Sequence, residues 1–330
     1  MAVLAPGLSL SPESFHNSGE GKSLMNSAEI LGKLLDALWA QYKMRVVYAR
    51  QYEQMVEQRG GKVINDHIAF RTFNAHVGGQ PAGVEGIARI FTALGYTQKD
   101  KYIFEDKHLT AWHYEHKTNP DNPKIFISQL EVDALSPPVA RMIKDNVAHA
   151  PDLLSADDRE TLKVLAKDKP LDKEASEAFV KNLARFFSRP WDPPQRAAIM
   201  PVNAESQYAA WTLLHGNAVN HFTAYINRQN VRGWPDLEET VHALRKAGLP
   251  MKDEFEGERG SKLRQSSTQA VDAACEVSES DGRIGKMMWS YAYYELAERG
   301  MIPGPNGKPV LFQAFLGAQA TNLFEMTKRG

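Results

Sequence analysis

Ile64-Asn65-Asp66-His67-Ile68-Ala69-Phe70-Arg71 decides how this chain is read, because its pattern returns far downstream as Val219-Asn220-His221-Phe222-Thr223-Ala224-Tyr225. In each stretch a short polar residue precedes a histidine and β-forming residues follow. Side chains on a strand alternate between faces. His67, Ala69 and Arg71 therefore share one face, with Ile68 and Phe70 on the other. Likewise His221, Thr223 and Tyr225 oppose Phe222, Ala224 and Ile226. Each histidine points away from a clearly apolar face. The same alternation sends Asp66 and Asn220 to the opposite face, so neither is expected to orient the imidazole beside it.

Working outward, each histidine strand opens a similar series. A strand over residues 63–73 is followed by a helix over 84–94 that stops at Gly95, then by strands over 101–104, 109–116 and 124–132. The second series has a strand over 219–227, a helix over 235–247 that stops at Gly248, and strands over 261–268, around 275–278 and over 288–297. This is an internal repeat of β-α-β-β-β order. One helical region is expected over 27–58, and helical periodicity over 139–148, 157–166, 175–187 and 205–214 marks an insert. The expected fold is α+β. Paired βαβββ-type modules form a central curved mixed sheet around a metal site, with a helical insert and an N-terminal helix. The expected units are a mobile tail at 1–22, an N-terminal helix and first module at 23–132, the helical insert at 133–216, and a second module with C-terminal segment at 217–330. The stretch 309–328, with Phe312, Phe315, Leu316, Leu323 and Phe324 as its apolar set, reads as a last amphipathic segment.

If the modules pack as a pseudo-symmetric pair, His67 and His221 converge. Glu295, in Tyr291-Ala292-Tyr293-Tyr294-Glu295, can supply a carboxylate. Two imidazoles and one carboxylate on a rigid sheet suit an open-faced Fe(II) site. Each histidine read alone also fits a hydrogen-bonded core residue. Glu298 is a nearby competitor, but alternation puts it on the opposite face from Glu295. Arg71, roughly 13 Å along the strand from His67, could clamp a carboxylate bidentately or form a surface salt bridge. Trp112-His113-Tyr114-Glu115-His116, with His108 close by, is a weak rival metal cluster and reads as a solvated or substrate-facing strand. Lys262-Leu263-Arg264-Gln265-Ser266-Ser267-Thr268 is dense in donors and reads as an acid-binding wall or a polar edge strand. Gly60-Gly61 and Gly78-Gly79 match no phosphate-binding fingerprint, and no Gly-x-Ser-x-Gly elbow occurs.

The 330 residues are 43% hydrophobic and 24% charged, with Lys+Arg 39 against Asp+Glu 40. That balance provides no long-range field for a polyanion, so neither nucleic acid nor an anionic membrane is an expected partner. Cys275 is the only cysteine, which fits a reducing compartment and a packed thiol. The N-terminal stretch lacks the pattern of a signal peptide, and no apolar run reaches the roughly 18 residues of a membrane helix. A cytoplasmic protein is expected.

The stretches Ile64 to Phe73, Val219 to Thr223, Leu263 to Thr268, and Tyr294-Glu295-Leu296-Ala297-Glu298-Arg299 resemble the signatures of the 2-oxoadipate dioxygenase/decarboxylase (2-hydroxyglutarate synthase) family. That family is a divergent branch of the vicinal-oxygen-chelate superfamily. The resemblance runs from about Leu24 to the C-terminus. It implies His67, His221 and Glu295 as ligands of Fe(II) and Arg71 as the catalytic residue that holds a substrate carboxylate. His67, Arg71 and His221 would then surround the substrate. The implied reaction takes 2-oxoadipate and dioxygen to 2-hydroxyglutarate and carbon dioxide, as in lysine breakdown, with no separate co-substrate. The chain is shorter than the best-known members, so their late substrate-contacting segment need have no counterpart here. Two other readings are a glyoxalase-type Zn or Ni lyase or isomerase on the same fold, and a metal-free module that binds a small ligand.

Overall fold

The computed structural model describes residues 23–317. The tail expected at 1–22 lies outside the described residues, as do Leu323 and Phe324 of the last amphipathic stretch. Two helices come first, α1 (Ser27–Arg45) and α2 (Val47–Gln58). Periodicity reads them as one helix. The chain breaks at Val46, whose φ of −106° and ψ of 89° leave the helical region while its side chain is buried. A capping box holds the start of α1: Asn26 accepts from the Glu29 N–H, and Glu29 accepts from the Asn26 N–H.

The first series is β1 (Asn65–Phe73), α3 (Val84–Ala93), β2 (Tyr96–Phe104), β3 (Leu109–His116) and β4 (Lys124–Leu130). Helices α4 (Pro137–Val147), α5 (Ala156–Leu165), α6 (Lys173–Phe186), α7 (Arg196–Glu205) and α8 (Gln207–His215) follow. Of these, α7 was not expected from the pattern; it carries Pro201 in its interior. The second series is β5 (Val219–Tyr225), α9 (Leu237–Lys246), β6 (Leu263–Ser267), β7 (Val271–Ser278), β8 (Ile284–Ala292) and β9 (Glu295–Arg299).

Seven strands form one mixed sheet in the order β2-β3-β4-β1-β5-β9-β6. The two histidine strands lie antiparallel at its centre, and each has the last strand of its own series parallel to it on the outer side. The halves are thus related by a pseudo-twofold between β1 and β5. Both series helices end on a glycine in the left-handed region, Gly95 (φ +99°) and Gly248 (φ +85°), where a side chain would be strained. The second half departs from the expected repeat. Its outermost strand is reduced to the isolated bridges Met251–Thr268 and Glu256–Gln265. The segment around 275–278 does not join the main sheet but pairs with β8 in a separate hairpin. The single strand expected over 288–297 is two strands, because the chain leaves that hairpin at Ala292 and enters the central sheet at Glu295.

One face of the sheet buries Ile68, Phe70, Phe222, Ala224 and Leu296 with apolar residues of α1, α2, α3 and α9. The other face packs Ala69, Phe126 and Ala297 with residues of α4, α7, α8 and β7. This two-sided cover explains why both histidine strands are buried along their length. Phe222 anchors the first layer, with its ring 5.0 Å from those of Trp39 and Tyr42. Phe222→Ala is expected to lower unfolding free energy by about 3–5 kcal/mol through the cavity it leaves, read as a shift in urea midpoint at unchanged slope. Among the described residues no helix is long and apolar enough to cross a membrane.

Candidate metal centre

The register between the two central strands decides the site. Asn65 faces Ala224, His67 faces Thr223, Ala69 faces His221 and Phe70 faces Val219. The pairing shifts once on each strand, leaving Asp66 and Asn220 as the extra residues. Each shift is a β-bulge, where two residues oppose one and strict alternation fails. The expectation that Asp66 and Asn220 point away from the histidines is therefore corrected. Asp66 Oδ1 lies 2.9 Å from His67 Nδ1, and Asn220 Oδ1 lies 2.9 Å from His221 Nδ1. Both oxygens can only accept, so both imidazoles carry a proton on Nδ1, and Nε2 is the atom that each turns inward. Such partners fix tautomer and ring orientation in metal-binding histidines. The doublets Asp66-His67 and Asn220-His221 were the available sequence signal; only the bulges make them effective.

Both Nε2 atoms face Glu295. His67 Nε2 is 3.1 Å and His221 Nε2 is 3.6 Å from Glu295 Oε2. One donor atom from each of the three residues lies within 4.8 Å of the others. Metal–donor bonds of roughly 2.1 Å put cis donors about 3 Å apart, so this spacing suits one ion. The residues are 1%, 4% and 0% exposed. Among the described residues, His221 Nε2 and Glu295 Oε1 are buried with no hydrogen-bond partner, a costly state for polar atoms unless something else binds them. Two nitrogens, one carboxylate and these orphaned atoms fit a divalent cation. Thr223 Oγ1, on the same face, donates to Glu295 Oε2 at 2.6 Å and lies 3.0 Å from His67 Nε2. Tyr293 stacks on His221 with its hydroxyl 2.9 Å from Nδ1. Glu298 turns away and pairs with Arg264.

Burial pushes the His221 pKa down to about 3, which keeps that imidazole in the neutral, ligating form. Burial also works against a charged His67, but its hydrogen bonds to Asp66 and Glu295 outweigh it and hold the pKa above the ordinary value. Asp66 is itself buried, and the guanidinium of Arg299 more than offsets that, keeping it ionised. Arg299 donates to both Asp66 oxygens, at 2.5 and 2.7 Å.

Arg71 occupies the same face of β1, further along the cleft that it lines with His67, Ala69, Phe126, Ser128, His221 and Phe315. It is 2% exposed and forms no surface salt bridge. Its Nη1 has no hydrogen-bond partner, and among the described residues no carboxylate pairs with it. Instead α8 supplies an aromatic bed: the guanidinium lies 4.9 Å from the Tyr208 ring and 5.1 Å from the Trp211 ring. An unpaired cation aimed along a cleft beside a metal-type triad is a ready acceptor of a carboxylate.

Other sequence candidates fall elsewhere. His113 is buried rather than solvated, with Nδ1 3.0 Å from the Tyr102 hydroxyl. Arg264, from the donor-rich stretch, pairs with Glu238 and Glu298. Cys275 is packed as expected. Its Sγ lies 3.8 Å from the His215 ring, a neighbour invisible in sequence, and burial pushes the thiol up to about 11.

A curved mixed sheet of two related halves that meet at a buried His–His–Glu cluster able to hold a metal is the architecture of the glyoxalase/dioxygenase-like, vicinal-oxygen-chelate class. The family model for 2-oxoadipate dioxygenase/decarboxylase matches residues 28–327, and the chain belongs to that family. A rice protein (Oryza sativa subsp. japonica) named 2-oxoadipate dioxygenase/decarboxylase is 29% identical over 259 residues. The match covers 74% of this chain and 62% of the relative, so the chain spans less than two thirds of that protein's length. A crystal structure from Ralstonia eutropha JMP134, assigned to the glyoxalase superfamily, superposes with a TM-score of 0.78 at 25% identity and 89% coverage of both chains. Rice hydroxyglutarate synthase in complex with 2-oxoadipate shares the fold, with a TM-score of 0.70 at 24% identity, covering 99% of this chain and 98% of its own.

Proposed function

We propose that this chain is an Fe(II)-dependent 2-oxoadipate dioxygenase/decarboxylase, converting 2-oxoadipate and dioxygen to 2-hydroxyglutarate and carbon dioxide. The observation that carries the reading is one buried face holding His67, His221, Glu295 and the unpaired Arg71. The family match and the 2-oxoadipate bound to the rice homologue support the substrate class. Within this reading the reaction serves lysine breakdown, in the cytoplasm.

His67, His221 and Glu295 would hold the iron. When bound, Fe(II) with three protein ligands leaves sites for a chelating 2-oxo acid and for dioxygen and supplies their redox chemistry. The residues of the chain do the rest. Asp66 and Asn220 keep both imidazoles in the ligating tautomer. The Thr223 hydroxyl donates to Glu295 Oε2 and fixes the carboxylate. Arg71 takes a substrate carboxylate and sets the reacting carbon at its distance. Phe126 and Phe315 line the cleft and exclude water.

The test is dioxygen uptake by Fe(II)-loaded protein across a series of 2-oxo diacids, with products identified by mass. One dioxygen consumed per 2-hydroxyglutarate and carbon dioxide formed is expected with 2-oxoadipate. Turnover without dioxygen would instead assign a glyoxalase-type lyase or isomerase.

A further inference from the structure

The triad is almost fully enclosed, and what encloses it is tied to one of its members. Phe315 is buried and stands edge-on to the His67 ring at 4.9 Å, with its other side against Phe126 at 5.0 Å. It belongs to a short strap, residues 312–315, that has no regular secondary structure. One side chain ties the strap to the candidate site. Arg299 Nη1 donates to the carbonyls of Phe312 at 3.0 Å and Ala314 at 2.9 Å. The other edge of the same guanidinium forms the two bonds to Asp66, and Asp66 in turn accepts from His67 Nδ1. Arg299 is 2% exposed and sits on β9, four residues beyond Glu295. Further strap bonds run to Gly300, to the Tyr102 hydroxyl, to Lys124, to Tyr225 and to the Leu311 carbonyl.

We propose that Arg299 is a positioning residue that couples occupancy of the metal centre to closure of the strap carrying Phe315. One rigid, planar fork satisfies a carboxylate on one edge and two backbone carbonyls on the other, which an ammonium cannot reproduce. Seating His67 on a cation fixes Asp66, Asp66 fixes the guanidinium, and the guanidinium fixes the strap. By linkage the closed strap must raise metal affinity by the factor with which metal favours closure.

This rests on the reading of the triad as a metal site, and the experiment separates the two. Full-length protein is titrated with Co(II) under anaerobic conditions. Its visible absorption bands report binding at the triad, and hydrogen exchange by mass spectrometry reports the strap amides, of which Phe312 and Phe315 donate hydrogen bonds. Co(II) is expected to slow strap exchange at least about fivefold in the wild type. In Arg299→Lys that ratio should fall to near one, with Co(II) affinity about tenfold weaker and altered bands. If Arg299→Lys does not fold, Asp66→Asn, which drops the charge facing the guanidinium, should show the same loss. Absence of any Co(II) bands overturns the metal reading and the coupling with it. Bands with unchanged strap exchange, or a folded variant with wild-type affinity, overturn the coupling alone.

Discussion

His221→Ala is expected to leave a folded protein that no longer retains metal, with affinity at least about a hundredfold weaker than wild type and dioxygen uptake at background. Loss of a hydrogen-bond partner behind a metal ligand alone typically weakens metal binding 10–100-fold, so loss of a donor sets that figure as a floor. The fold should survive because the apolar face of β5 is untouched: Phe222 and Ala224 point the other way, into the layer under α1 and α2. The replaced ring also holds Asn220 and stacks on Tyr293, so some stability is lost with it while the fold is kept. Metal content after gel filtration and a urea titration check both halves. A variant that binds Fe(II) normally and turns over would remove His221 from the site.

Arg71→Met should have the opposite signature. Metal content stays at the wild-type level, because Arg71 is not among the converging donors. Turnover falls: kcat/KM with 2-oxoadipate is expected to drop by about 10²–10³, the scale for truncating one partner of a buried charge pair. Stability rises. Arg71 is a buried cation without a paired carboxylate, and burial depresses its pKa even with two tyrosines nearby. Replacing such a charge with an apolar side chain of similar length is expected to stabilise the substrate-free protein by about 1–3 kcal/mol. A loss of both stability and activity would show that the guanidinium holds the fold rather than the substrate. Activity equal to wild type would remove Arg71 from the mechanism.

The strand faces at this site were legible in the sequence. The faces of His67, Arg71, His221 and Thr223 follow from strand period alone, and the repeat of β-α-β-β-β order implies that the two histidines meet across a pseudo-twofold. Glu295 and Glu298 separate correctly by the same parity. Each inference uses only the alternation of side chains along a regular strand, which the chain carries locally.

Parity fails wherever the backbone is irregular. The bulges at Asp66 and Asn220 reverse two side chains and turn supposed bystanders into the groups that set both imidazole tautomers. The break at Tyr293-Tyr294 puts what reads as one strand into two sheets. Bulges arise from the register of two strands far apart in sequence, so neither strand announces its own.

The sequence by itself determined most of the element order, the apolar faces and the three candidate donors, because hydrophobic period and strand parity are properties of short segments. Only the tertiary structure decided what surrounds them. It brings the aromatic bed of α8 beneath Arg71, runs Arg299 from Asp66 to the strap, and sets Phe315 over His67. Apart from the bonds of Arg299 to the strap, those contacts join residues separated by more than a hundred positions. Their existence depends on how the sheet curves and what packs into it, which no local pattern encodes.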